Sequence, residues 1–216
     1  MICQLKHADR STICRECQHD LPWLQYHCLI CALPLPSDNN PCPACLRKKP
    51  VFNQAYCAFR YEFPIDALIP PGKFNNRTDY LIALSKLALL NIRLTKRPDC
   101  IIPVPMHPQK LLKREYNHAW LIAQEISRHL QLSLDTKTLQ KIVHTPNQIH
   151  LSAKERRSNL RNSFNCRSRP PPHVMLVDDV ITTGATANII SQILKQAGCK
   201  RVDIMALART DKPPTA

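Results

Sequence analysis

The chain has 216 residues, 30 of them Lys or Arg against 16 Asp or Glu, so its formal net charge is +14 and its isoelectric point about 9.5. That length holds one α/β domain and a small appendage, and the charge suits a polyanionic partner, nucleic acid or polyphosphate, without specifying a sequence. No apolar run approaches the length of a membrane span, which argues against membrane insertion, and the lack of a secretory signal points to a cytoplasmic location.

Eleven cysteines are unevenly spread, with seven in the first 45 residues. Cys14-x2-Cys17, Cys28-x2-Cys31 and Cys42-x2-Cys45 recur with a period of fourteen. In a reducing compartment such pairs read as metal ligands before disulfides. Each forms a knuckle whose thiolates take one side of a tetrahedral Zn²⁺, and two knuckles complete a site. A redox CxxC would open a helix beside a βαβ pattern, which residues 1–50 lack. Cys28, Cys31, Cys42 and Cys45 make the strongest set, with Pro34, Pro36 and Pro41 shaping the loop between them. Cys14 and Cys17 then need partners, and Cys3 with His7 is the combination available upstream. Lys6 occupies the place of a further knuckle cysteine, and His19 and His27 are other ligands at hand. Residues 1–50 are therefore expected to be a cysteine-rich zinc module, double-zinc-ribbon in kind, folded by its metal because it has little core of its own.

The main domain is expected over 51–210. Val51 to Phe63 alternates apolar and polar residues as a strand or hairpin would, and Pro70-Pro71-Gly72-Lys73-Phe74 reads as a turn, with Lys73 an anion contact only by analogy. From Asp79, Leu81, Leu84, Leu87, Ala88 and Ile92 recur at helical spacing until Arg97-Pro98. Cys100 to Pro105 reads as a short strand entering a proline-stiffened loop, followed by the basic run Lys110, Lys113 and Arg114. Thr145 to Gln148 is a turn, and Ser152 with Glu155 fits a capping box. The helix it opens carries Lys154, Arg156, Arg157 and Arg161. Such a cluster suits nucleic-acid phosphates or a pyrophosphate, and its bland alternative is a solvated helix face.

Val174 to Val177 reads as a buried strand of a parallel sheet, and Ala187 to Gln196 as a helix. Asp178, Asp179, Thr182, Thr183, Gly184, Ala185 and Thr186 then sit where strand gives way to helix. Unpaired N–H groups and the helix dipole favour an anion there, and the threonines add hydroxyl donors. The chain has only three glycines, and Gly184 allows backbone to approach a phosphate closely. Two adjacent carboxylates would repel that phosphate unless they served ribose hydroxyls or Mg²⁺. Lys200 to Leu207 reads as another strand of the sheet, and 211–216 has the composition of a disordered tail.

The thirteen residues from Val174 to Thr186 resemble the phosphoribosyl pyrophosphate (PRPP) signature of type I phosphoribosyltransferases. The resemblance implies a parallel α/β sheet of that kind from about Tyr56 onward. It implies that Asp178 and Asp179 contact the ribose 2- and 3-hydroxyls while Thr182, Thr183, Gly184, Ala185 and Thr186 hold the 5-phosphate of Mg²⁺-bound PRPP. A pyrophosphate loop would lie near Arg114, which would offset charge on the leaving group. An active enzyme of this kind displaces pyrophosphate from the anomeric carbon, here by an unidentified nucleophile, and no residue stands out as general base.

A wider set of motifs, namely the CxxC pairs, Pro103-Val-Pro-Met-His-Pro108, Arg114-Glu-Tyr-Asn117, Leu151-Ser-x-x-Glu-Arg-Arg-x-Asn-Leu-Arg161 and the PRPP signature, resembles the ComF family. Those competence and DNA-utilisation proteins, GntX-like in kind, join a cysteine-rich zinc segment to a phosphoribosyltransferase-like domain. The resemblance implies a role in DNA uptake during natural transformation or in DNA utilisation, with PRPP, single-stranded DNA and the uptake or recombination machinery as partners. A rival reading is a single-stranded-DNA-binding accessory protein whose nucleotide pocket is a sensor or relic. The chain departs from the family pattern in three places: the first CxxC is reduced to Cys3, Glu115 stands where a glycine follows the arginine, and Asn117-His118 replaces Asn-Gln.

Overall fold

The structure is a computed structural model and describes residues 12–143 and 162–212. In chain order its elements are α1 (Arg15–His19), α2 (Pro43–Arg47), β1 (Gln54–Arg60), α3 (Ile65–Phe74), α4 (Thr78–Asn91), β2 (Cys100–Pro103), α5 (Pro108–Arg114), α6 (His118–Leu130), β3 (Ser133–Leu134), β4 (Leu139–Lys141), β5 (Phe164–Cys166), β6 (His173–Ile181), α7 (Ala185–Gln196) and β7 (Arg201–Arg209). Among the described residues no helix is long and apolar enough to cross a membrane.

Five strands form one parallel sheet in the order β1-β7-β6-β2-β3, and β4 and β5 make a separate antiparallel pair. The central strands are apolar on both faces, as a sheet covered on both sides requires. Met175 and Val177 of β6 enter one core with Ile65, Ile69, Leu84 and the Ala119, Ile122, Ala123, Ile126 stripe of α6. Val174 and Leu176, one residue out of phase, enter the other with Ile190 and Leu194 of α7. The expected α/β class with a parallel sheet is thus what the chain adopts.

The connection from β2 through α6 leads to β3 on one side, whereas β6 leads through α7 to β7 on the other. The order reverses between β2 and β6, so a crevice opens beyond their carboxyl ends, the place where open α/β sheets bind ligands.

The cysteine-bearing segment lies along the outer edge of β1. Leu24 N–H donates to Ala58 (2.8 Å), Ala55 N–H to Ile30 (2.8 Å) and Arg60 N–H to Pro22 (2.8 Å). That covers an edge which would otherwise offer unpaired groups to another chain. Ile13, Cys14, Cys17 and Leu21 join one core, and Leu24 with the later cysteines joins the other.

Several local expectations change. Of the strand or hairpin expected over 51–63 the chain forms the strand, β1, which pairs in parallel with β7. Pro70 to Phe74 is the last part of α3 and not a turn. The missing proline N–H groups would have bonded the carbonyls of Asp66 and Ala67, both exposed residues, while Ile65, Leu68 and Ile69 anchor the buried side. Helix α4 stops at Asn91, well before Arg97-Pro98. Strand β6 continues through both aspartates to Ile181 because Asp178 and Val180 stay in register with Ala206 and Ala208. Helix α7 starts at Ala185, and β7 runs on to Arg209.

Candidate functional site

Thr182, Thr183 and Gly184 turn the chain from β6 into α7. Gly184 caps the helix at φ 71°, a left-handed conformation that an L side chain would strain, and its carbonyl accepts the Asn188 N–H at 2.8 Å. The turn lines a cavity of about 150 Å³ with Val104, Asp178 and Thr186.

The two aspartates are not equivalent, because neighbouring positions in a strand face opposite sides. Asp178 lies on the α7 side, lines the cavity at the turn, and accepts the Asp179 N–H at 2.9 Å. Asp179 points to the other side, where its Oδ2 lies 2.6 Å from Lys73 Nζ of α3 and 3.0 Å from His118 Nε2 of α6. Burial, then repulsion from Asp179, pushes the Asp178 carboxyl up to about 7, against the pull of Lys73 and Lys141. Burial pushes His118 down to about 4 despite Asp179, with Lys73 and Arg114 adding to the fall, so its imidazole is neutral at physiological pH. His118 Nδ1 is buried without a hydrogen-bond partner among the described residues. The ligand atoms of His118, Asp178 and Asp179 lie within 4.8 Å of one another, close enough to share a metal ion.

A second cavity of about 260 Å³ is lined by Asp178, Asp179 and Thr186 together with Lys110, Arg114, Asn117, His118 and Lys141. It shares Val104, Asp178 and Thr186 with the cavity at the turn, so carboxylates and cations meet beside the backbone of that turn. Asn117 builds its floor, with Nδ2 donating to Val104 at 3.0 Å and Oδ1 capping α6 through the Ala119 N–H at 3.0 Å. Tyr116 donates to Gly72 O at 2.6 Å, which holds the end of α3, and with it Lys73, against the crevice. Glu115, where glycine was expected, adopts φ 63° and ψ −20°.

Cys28, Cys31, Cys42 and Cys45 are all buried, and their sulfurs lie within 4.8 Å of one another. Backbone N–H groups of Ile30 (3.4 Å) and Cys42 (3.2 Å) point at Cys28 Sγ, the geometry of a knuckle. The hydrogen bond from Cys31 pulls Cys28 down to about 4, the same bond and burial push Cys31 up, and burial pushes Cys45 up to about 12. Four sulfurs this close ionise together only around a cation, and closed four-cysteine chemistry fits Zn²⁺. Cys14 and Cys17 form a separate buried knuckle, with the Cys17 N–H 3.5 Å from Cys14 Sγ. Their expected partners Cys3 and His7 lie outside the described residues, as do Lys154, Arg156, Arg157 and Arg161, the turn at 145–148 and the capping box of Ser152 and Glu155.

Competence protein F of Haemophilus influenzae is 34% identical to this chain over 213 residues, covering 94% of this chain and 93% of that one. The chain belongs to the competence protein F family. A protein named DNA utilization protein YhgH, from Escherichia coli O157:H7, is 34% identical over 205 residues and 92% of this chain, and its Salmonella typhimurium counterpart is 31% identical over the same share; 90% of each is covered. No family model matches the chain. An adenine phosphoribosyltransferase structure has a TM-score of 0.37 over 66% of this chain and 74% of its own, and a purine phosphoribosyltransferase from Pyrococcus horikoshii one of 0.35 over 66% and 88%. Both are 16% identical, and scores that low decide nothing.

In this competence protein F relative the crevice brings together Asp178, Asp179, Thr182, Thr183, Gly184, Ala185, Thr186 and Arg114. Lys110 enters the cavity with Arg114 of the same basic run, whereas sequence reasoning missed His118 and Lys141 as parts of it, and the anion that meets Lys73 is the Asp179 carboxylate of the chain itself. His118 carried a signal, since it is one of the departures from the family pattern.

Proposed function

We propose that the protein binds PRPP with Mg²⁺ in the crevice between β2 and β6 and serves DNA uptake or utilisation, as the names of its relatives suggest. The supporting observation is a pair of cavities that share Val104, Asp178 and Thr186, one lined by the turn from Thr182 to Thr186 and the other by Asp179, Lys110, Arg114 and Lys141. A phosphorylated pentose carrying pyrophosphate has the complementary order of charge. Thr182, Thr183, Gly184, Ala185 and Thr186 hold the 5-phosphate, Asp178 and the free oxygen of Asp179 take the ribose hydroxyls, and Arg114 with its neighbouring lysines meets the pyrophosphate.

Mg²⁺ prefers hard oxygen ligands and retains water, so Asp178 suits it better than Asp179, whose Oδ2 already faces two nitrogen groups. When bound it supplies charge neutralisation to the pyrophosphate. The protein's own part is to hold both ends of the ligand and to offset charge on a departing pyrophosphate. An adjoining groove of about 490 Å³, lined by Met106, Tyr116 and Trp120 and sharing Asn117 and Lys141 with the cation-rich cavity, offers aromatic surface to an acceptor.

In this reading residues 1–50 are the zinc-bearing part, 51–210 the phosphoribosyl-binding part and 211–216 a tail. Single-stranded DNA is met by the excess positive charge, with Lys154, Arg156, Arg157 and Arg161 as contacts. The test is the double variant Asp178→Asn with Asp179→Asn. It should lose PRPP affinity at least tenfold while its DNA affinity holds or rises and declines steeply with salt. Wild-type PRPP affinity in the double variant would overturn the site, and DNA affinity that is absent or flat with salt would overturn the DNA role.

A further inference from the structure

Arg209, the last residue of β7, is fully buried and bridges two parts of the molecule that lie far apart in sequence. Its Nε donates to Cys31 O at 3.1 Å, inside the four-cysteine cluster. Its Nη1 donates to Ile181 O at 3.2 Å and to Thr182 O, the two carbonyls that open the turn into α7. Its other acceptors are Thr210 O at 2.7 Å, Thr210 Oγ1 at 3.4 Å and Lys212 O at 2.9 Å. Among the described residues no carboxylate lies within ion-pair distance of it.

We propose that Arg209 is a positioning residue for the phosphate turn, fixing its backbone donors and tying them to the Cys31 knuckle. The inference rests on the phosphoribosyl-binding reading above. In a planar trans peptide the C=O of one residue and the N–H of the next point opposite ways. By drawing the Ile181 and Thr182 carbonyls inward, the guanidinium turns the N–H groups of Thr182 and Thr183 away from itself, on a turn whose outer surface lines the cavity. A charge on the carbonyl side also polarises those peptides and strengthens their donors.

The charge balance points the same way. A guanidinium stays protonated, and burying it without a counter-ion is costly. Four thiolates around one divalent ion would leave net negative charge on one side of Arg209, and a phosphate in the turn would supply negative charge on the other. Arg209 is thus the cation shared by both, and the knuckle sets where it sits.

Calorimetry on the full zinc-loaded chain tests this with two probes, ribose 5-phosphate for the turn and Mg²⁺-pyrophosphate for the Arg114 side. Arg209→Lys keeps a charge but cannot span Cys31 and the turn. It should weaken ribose 5-phosphate at least tenfold and leave Mg²⁺-pyrophosphate within twofold, with zinc content and circular dichroism unchanged. Equal ribose 5-phosphate affinity in variant and wild type, or equal loss of both probes, would overturn the role of Arg209. If wild type itself fails to bind ribose 5-phosphate, the phosphoribosyl reading fails first. A misfolded variant is replaced by nuclear magnetic resonance on wild type, where the Arg209 Nε–H and Thr183 amide signals must both shift on adding ribose 5-phosphate. An unmoved Arg209 signal would overturn the proposal.

Discussion

Lys73 Nζ lies 2.6 Å from Asp179 Oδ2, and the carboxylate side of this pair is only 6% exposed. The second acid of the Val174 to Thr186 run is therefore held by a lysine of α3, on the face of the sheet that lies away from α7. Removing one partner of a buried pair strands the other charge, at a cost of about 3 kcal/mol. Lys73→Met should be destabilised by about that much, and adding Asp179→Asn should restore most of it. Denaturant midpoints of the single and double variants check this, and strictly additive losses would show that the contact carries no coupling.

His118 supplies a pH dependence. Burial holds its folded-state value at about 4, below an ordinary histidine, so the unfolded chain takes up a proton first on acidification. Stability from this group is complete above about pH 6.5 and is lost as pH falls toward 4, with a slope of up to about 1.4 kcal/mol per pH unit. His118→Gln should flatten the acid limb of the stability profile. Parallel profiles for variant and wild type would contradict the assignment.

Glu115 occupies a left-handed conformation, φ 63°, at the end of α5, and its side chain is exposed. A residue with a Cβ loses roughly 1–2 kcal/mol there, partly offset by the greater unfolded-state entropy of glycine. Glu115→Gly should stabilise the protein by about 1 kcal/mol, read as a rise in melting temperature. A drop would mean that the glutamate side chain makes a contact worth more than the strain.

Cys42 belongs to a cluster that packs with Leu24, Phe52 and Ala187 in the core on the α7 side. Loss of its metal should therefore be felt beyond the N-terminal segment. Cys42→Ser is expected to lower zinc by one equivalent per chain, whatever Cys14 and Cys17 bind, and to lower the melting temperature of the whole protein. Unchanged zinc content by elemental analysis would refute the ligand set.

Much of this architecture is legible from consecutive residues. The run Val174 to Thr186 announces strand, turn and helix because a strand's alternation and a helix's period are local properties, and the later CxxC pairs announce a cluster because knuckles are local too. The approach of Lys73 and His118 to Asp179 has no such signature, since it depends on α3 and α6 packing on one face of the sheet. Pro70 and Pro71 suggested a turn because which carbonyls they orphan, and whether water reaches them, is settled only by packing. Arg209 ends an apolar strand, where a charged residue ordinarily marks emergence into solvent, yet it is fully buried.

Titration calorimetry of PRPP with Mg²⁺ into the zinc-loaded protein bears most directly on the crevice between β2 and β6. One molecule per chain should bind to wild type, with the heat abolished or the affinity reduced at least tenfold in Asp178→Asn. No measurable heat at millimolar PRPP, or undiminished binding once that carboxylate is gone, would contradict it.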